Sequence, residues 1–262
     1  MDEKLAVVGG SVNVASGHDK RAKDRQDSHV ARTFQSEMSH VERAMSMSRD
    51  VLVTGATGYM GTRLVEELIR RQHRVRAFVR EESQGRVPPG ATVVIGDALD
   101  AASIYSALRE GDCLVHLVGT PHPSPSKAEE FKRIDLTSAE SAISAATRRG
   151  IAHFVYISVA HPAPVMREYI SVRVSVERLL EQSGLTCTVL RPWYVVGPGH
   201  RWPLALTPLY AAASLVPTLR EGARRLGLVT MRQMIDAIVR AVESPPFSGT
   251  RRIVEVPDIR AT

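Results

Sequence analysis

Three glycines spaced three apart, Gly55, Gly58 and Gly61, interrupt the chain between two patterned runs. Before them, Val51, Leu52 and Val53 lead into Thr54, an apolar and β-branched run of strand character. After them, Leu64, Val65, Leu68 and Ile69 recur on one face of a helix. A second strand pattern, Val75 to Val79, follows at the distance expected of a βαβ unit. Each glycine has a physical task in that setting. Gly55 permits the tight turn from strand to helix, Gly58 lets a pyrophosphate approach bare backbone, and Gly61 lets the helix pack close to the sheet. Thr57, Tyr59 and Met60 fill the spaces between them. The first-turn amides and the positive end of the helix complete a dinucleotide site.

The rest of the chain repeats this alternation of short apolar runs and helical patterns, which predicts a doubly wound parallel sheet. Strands are expected near 50–54, 74–79, 92–96, 113–118, 152–158, 186–190 and 251–256. Helices are expected near 59–71, 101–109, 129–148, 166–182 and 231–243. The last helix is marked by a capping box between Thr230 and Gln233. Residues 50–262 thus form one α/β domain with a small C-terminal substrate lobe, mainly 193–230. These 213 residues suffice for a sizeable core.

Residues 1–49 read as a separate leader. Ser11 to Ser28 is polar and aperiodic, whereas Val30, Phe34, Met38, Val41 and Met45 mark one amphipathic helix. That helix is either a docking element or an appended leader with no role in the fold. Trp202 to Leu219 carries no charge and contains three prolines, which would break a bilayer-spanning helix. Its readings are a cover over an apolar substrate pocket, a membrane-surface contact helped by Arg224 and Arg225, or a subunit interface.

The net charge of +6 is carried by the domain, since residues 1–50 hold 8 basic and 8 acidic side chains. The excess suits a polyanionic cofactor. It forms no basic stripe with interleaved aromatics, so nucleic acid is not the expected partner. The two cysteines, Cys113 and Cys187, are expected as core thiols in a reduced, cytoplasmic setting, and no secretory signal is visible. The histidines show no metal-ligand spacing, so no metal is expected. His122, in a loop stiffened by Pro121, Pro123 and Pro125, is either a surface residue or an acid/base.

TGATGYMG (54–61) resembles the TGxxGxxG signature of the extended and atypical short-chain dehydrogenase/reductases. VRAFVR (75–80), GDALD (96–100), HLVGT (116–120), FVYIS (154–158) and SGLTCTVLRPWYVVGPG (183–199) follow in the family's order. The likeness spans roughly 50–260 and is nearest to the NmrA-like branch. That branch contains reductases, epimerase-like enzymes and members that bind a dinucleotide without chemistry.

The resemblance implies roles for particular residues. Arg80, ending the second strand where no acid precedes it, favours NADP over NAD by pairing with the 2′-phosphate. Asp97 and Ala98 match the positions beside the adenine ring, although Asp97 reads equally as a helix-entry turn. Gly119 and Pro192 match backbone that runs along the ribose and nicotinamide. Ser158 matches the catalytic serine, and Tyr169 stands as the general acid. Arg173, four residues on, replaces the lysine that lowers the tyrosine pKa. Arginine keeps the charge but cannot pass a proton. The implied function is NADP-dependent oxidoreduction of a small apolar carbonyl, enone or quinone-like compound; the alternative is a non-catalytic NADP(H) sensor or assembly protein.

Overall fold

The computed structural model describes residues 48–121, 123–163, 165–199, 222 and 225–261. Seven strands form one parallel sheet: β1 (Asp50–Thr54), β2 (Arg74–Val79), β3 (Thr92–Ile95), β4 (Cys113–His116), β5 (His153–Ile157), β6 (Cys187–Arg191) and, last in the chain, the strand Arg251–Glu255. A short parallel pair, β7 (Tyr194–Val196) and β8 (Leu228–Thr230), stands apart from it, so the strand Arg251–Glu255 is β9. The sheet order is β3-β2-β1-β4-β5-β6-β9. The winding reverses between β1 and β4, which opens a crevice beyond their carboxyl ends.

Burial on both faces explains the continuous apolar strands. Val51 and Val53 of β1 join the core cluster that holds α1 (Gly61–Arg70) and residues 231–243 and 256–260. Leu52, pointing the other way, joins the cluster formed with α2 (Ala101–Ala107), α3 (Thr137–Arg149) and α4 (Arg167–Ser183). The helix α5 (Met231–Glu243) begins at the expected capping box: Gln233 N donates to Thr230 Oγ1, and Thr230 N donates to Gln233 Oε1. A short α6 (Val256–Arg260) ends the described chain.

Every strand and helix expected within the domain is present, with ends shifted by a few residues at most. One expectation is modified. The helix expected over 129–148 starts as Ala128–Glu130, passes through a π-helical turn at Phe131–Leu136, and becomes α3 only at Thr137. Such turns alter which side chains face inward. Here Phe131 and Asp135 are both buried.

Cys113 and Cys187 are free, buried thiols, and burial pushes them up to about 12 and about 11. No helix among the described residues is long and apolar enough to cross a membrane. The leader stripe, His122, the whole apolar 202–219 segment and most of the 193–230 lobe lie outside the described residues.

Candidate active site

The crevice floor is made where the loops after β1 and β4 touch. Gly55 has φ +69°, and a Cβ there would lie 2.9 Å from the Leu117 carbonyl carbon. Leu117 N in turn donates to the Thr54 carbonyl. Gly61 is the first residue of α1, and a Cβ on it would come within 2.1 Å of the Gly55 carbonyl oxygen. No larger residue fits, because the contact is with backbone. Thr57, Gly58, Tyr59 and Met60 form the turn between, and Gly58 N closes it on the Gly55 carbonyl at 3.0 Å.

This cradle fits a pyrophosphate. The first turn of α1 carries no acidic residue and its N-cap makes no side-chain hydrogen bond. The positive end of the helix therefore faces the loop without a carboxylate of its own. Tyr59 leans across the loop: a Cβ on Gly197 would meet its hydroxyl at 2.5 Å.

Arg80 follows β2 directly and is largely exposed, 3.1 Å from Glu82. Asp97 follows β3. Its carboxylate accepts from Leu99 N at 2.9 Å, and its own amide donates to Ser103 Oγ, so it serves as a turn residue ahead of α2. The cap of α2 is Asp100. Ala98 packs against the second core cluster. The Pro192 carbonyl accepts from Ala160 N, tying the loop after β6 to the loop after β5.

At the other end of the crevice the side chains matter more. Tyr169, Arg173 and Glu177 recur every four residues on α4 and share one face. Tyr169 is half-buried, edge-on to Phe131 at 5.0 Å. The Arg173 guanidinium lies 5.0 Å from the centre of the Tyr169 ring. Arg173 itself is buried, and its hydrogen bonds run elsewhere. Nη2 donates to Asp135 at 2.6 Å, and Nη1 to the Ile157 carbonyl and the Tyr156 hydroxyl. The other Asp135 oxygen accepts from both the amide and the hydroxyl of Thr120, each at 2.7 Å. Burial opposes the Arg173 charge, but Tyr156, Tyr169 and Asp135 outweigh it and raise its pKa. Burial likewise pushes Tyr156 up to about 12.

Gly119 is set against this ion pair: a Cβ there would sit 2.8 Å from Arg173 Nη2. Ser158 is buried at the end of β5 and donates to Glu177 Oε1 at 2.5 Å. Burial works against the Glu177 charge, yet Arg191 and Ser158 hold its carboxyl below the usual range.

Sequence reasoning missed Asp135, Tyr156, His116 and Glu177. His116 bridges Thr54 Oγ1 (3.0 Å) and Ser138 Oγ (3.3 Å) beneath the crevice, and burial drives its pKa down to about 3. The recurrence of Glu177 four residues after Arg173 was the available signal for it. Nothing local marks Asp135, whose inward aim depends on the π turn. A separate groove of about 830 Å³ lies between α1 and α5, lined by Arg63, Arg71, Asp236 and neighbours, and its lining includes none of the candidate residues. No group of metal-ligating side chains occurs among the described residues.

A family model described as NAD(P)H-binding matches residues 55–199. The ceramide reductase of Caulobacter vibrioides is 27% identical over 217 residues, covering 80% of this chain and 65% of its own length. The chain thus spans slightly less than two thirds of that relative. The 3-diazoavenalumate denitrifying reductase of a Streptomyces species is 30% identical over 221 residues, covering 74% of this chain and 72% of its own. Among solved structures, a UDP-galactose 4-epimerase aligns with a TM-score of 0.58 at 18% identity, covering 79% of this chain and 77% of its own. The Bordetella bronchiseptica enzyme WbmH, solved with NAD+, aligns with a TM-score of 0.57 at 23% identity, covering 75% and 73%. Identities this low speak for the shared fold.

Proposed function

Because the chain belongs to the NAD(P)H-binding family, in the NmrA-like branch of the atypical short-chain dehydrogenase/reductases, we propose that it is an NADP-dependent oxidoreductase acting on a small apolar carbonyl, enone or quinone-like compound. The observation that carries the reading is the pairing of a phosphate cradle at Gly55–Gly61 with an aromatic hydroxyl, Tyr169, on the helix that borders the same crevice. Reductases among the relatives support this direction of chemistry.

The residues that would hold the dinucleotide are the Thr57–Gly61 backbone at the phosphates, Arg80 at the 2′-phosphate, Asp97 and Ala98 near the adenine, and Gly119 and Pro192 along the nicotinamide side. When bound, the nicotinamide supplies or accepts hydride. Arg80 contributes a charge-assisted contact worth about 1.5–3 kcal/mol. Its ion pair with Glu82 is exposed and therefore easily exchanged for a phosphate. Tyr169 donates a proton to the substrate oxygen, with the Ser158 hydroxyl as second donor. Arg173 holds its positive charge 5.0 Å from the centre of the Tyr169 ring.

A second reading, a nucleotide sensor without chemistry, draws on the same arginine. Arg173 spends three hydrogen bonds on Asp135, Ile157 and Tyr156, which suits a structural strut. NADPH oxidation measured against quinones, enones and aldehydes separates the two. Turnover with any of them supports the enzyme. NADPH binding without turnover across the panel supports the sensor.

A further inference from the structure

Whichever carbonyl is reduced, the proton given to it must be replaced from solvent, and Arg173 cannot supply one because guanidinium does not release its protons. One turn further along α4, Glu177 offers another way. One of its oxygens, Oε1, accepts from Ser158 at 2.5 Å and lies 3.5 Å from His161 Nε2. That imidazole nitrogen is buried without a hydrogen-bond partner. The His161 side chain as a whole is 21% exposed, so the ring reaches from the buried carboxylate to water.

The charges around the pair leave room for a proton. Glu177 and Glu255 both bind Arg191, two carboxylates on one guanidinium. Glu255 Oε2 also has no hydrogen-bond partner. Other charged neighbours are committed elsewhere. The Arg251 guanidinium pairs with Glu181 and contacts only the Glu177 backbone carbonyl, while Arg225 donates to the Pro162 carbonyl.

We propose that Ser158, Glu177 and His161 form a proton path from the crevice to solvent, taking over the supply that a lysine at position 173 would provide. The path rests on the enzymatic reading above. As the carbonyl carbon receives hydride, Tyr169 gives its proton to the substrate oxygen and is left as phenolate. Ser158 then donates to the product oxygen, whose first proton returns to Tyr169. The Glu177 carboxylate takes a proton from the His161 imidazolium as it returns one to Ser158, and His161 is reprotonated by water. One water proton enters for each carbonyl reduced, and oxidation runs the same steps backwards.

Two measurements on the full-length protein test this. In the nucleotide-free state, the His161 ring resonances are compared by NMR in the unaltered protein and in Glu177→Gln. Loss of a carboxylate 3.5 Å away should move them. In steady-state reduction of the carbonyl identified by the panel, His161→Phe should lower kcat about a hundredfold with KM within about twofold. Added imidazole should restore turnover. His161→Phe keeps the Glu177–Arg191 pair, so it guards against misfolding of Glu177→Gln. Unchanged His161 resonances overturn the path, as does normal turnover in His161→Phe or a loss that imidazole does not rescue. Each of these leaves the enzymatic reading standing. No turnover by the unaltered protein removes both.

Discussion

The two ends of the crevice are made of different material. At Gly55–Gly61 the surface is backbone, shaped by contacts that exclude a Cβ, and side-chain identity hardly enters. Around α4 the surface rests on buried charges, Asp135 with Arg173 and Glu177 with Arg191, joined by Ser158, Thr120 and Tyr156. The first end depends on the absence of atoms, the second on paired ones. A backbone cradle has few alternatives, whereas an ion-pair network can exchange lysine for arginine if a carboxylate such as Asp135 comes with it. Family membership therefore speaks more firmly for the cofactor than for the reaction.

The largest expected effect lies at the charged end. Asp135→Ala leaves the Arg173 guanidinium buried without its partner, and should cost about 3–5 kcal/mol in urea unfolding. Asp135→Asn should cost less, because its one amide oxygen still accepts from Arg173 or from Thr120, although its NH2 then faces the donors on the other side. Equal stability of the alanine variant and the parent would mean that the network is not a strut.

At the backbone end, Gly61→Ala drives a methyl into the Gly55 carbonyl and should cost about 3 kcal/mol, with NADPH binding lost. Gly85→Ala, whose Cβ meets nothing within 4 Å, is the control and should bind NADPH normally. Similar behaviour of the two variants would contradict the cradle.

This contrast also explains what could be read in the sequence. The glycines, strand periodicities and the Thr230–Gln233 cap are local signals, and the sheet and its helices followed from them. Tyr169 and Arg173 were visible because four residues bring them to one helix face. Asp135 was not, since it reaches Arg173 across 38 positions and through a π turn that no local pattern announces. The Ser158–Glu177 bond spans 19 positions and is equally nonlocal. Asp97 shows the reverse case: its sequence supported both a turn and an adenine contact, and its hydrogen bonds describe the turn.

Acid should loosen the charged end and the sheet beneath it. Burial lowers the pKa of His116 and His153 from 6.5 to about 3, so both are neutral in the fold and protonated on unfolding near pH 5. Their contribution is fully present above pH 6.5 and lost as pH falls toward 3. Two extra protons in the unfolded state correspond to a fall of about 2.7 kcal/mol per pH unit between pH 6 and 4.5. His73, lowered by burial as well, adds to it. Equilibrium unfolding of His116→Gln across this window should show a slope shallower by about 1.4 kcal/mol per unit. An unaltered slope would place His116 in contact with water.

The smallest expected effect is selectivity at the adenosine end. NADPH should bind about tenfold more tightly than NADH, and Arg80→Ala should remove most of the difference. Calorimetry giving equal affinities for the unaltered protein would assign Arg80 to its ion pair with Glu82 alone.

The division between the two ends is tested most directly by Tyr169→Phe followed in stopped flow, with NADPH fluorescence reporting binding and nicotinamide absorbance reporting hydride transfer. The substitution touches the charged end and leaves the glycine cradle intact. The account predicts an NADPH Kd within about twofold of the parent and a hydride-transfer rate lower by about 10²–10⁴-fold. A variant that transfers hydride at the parental rate, or that loses NADPH binding along with it, would contradict the assignment of binding to one end and chemistry to the other.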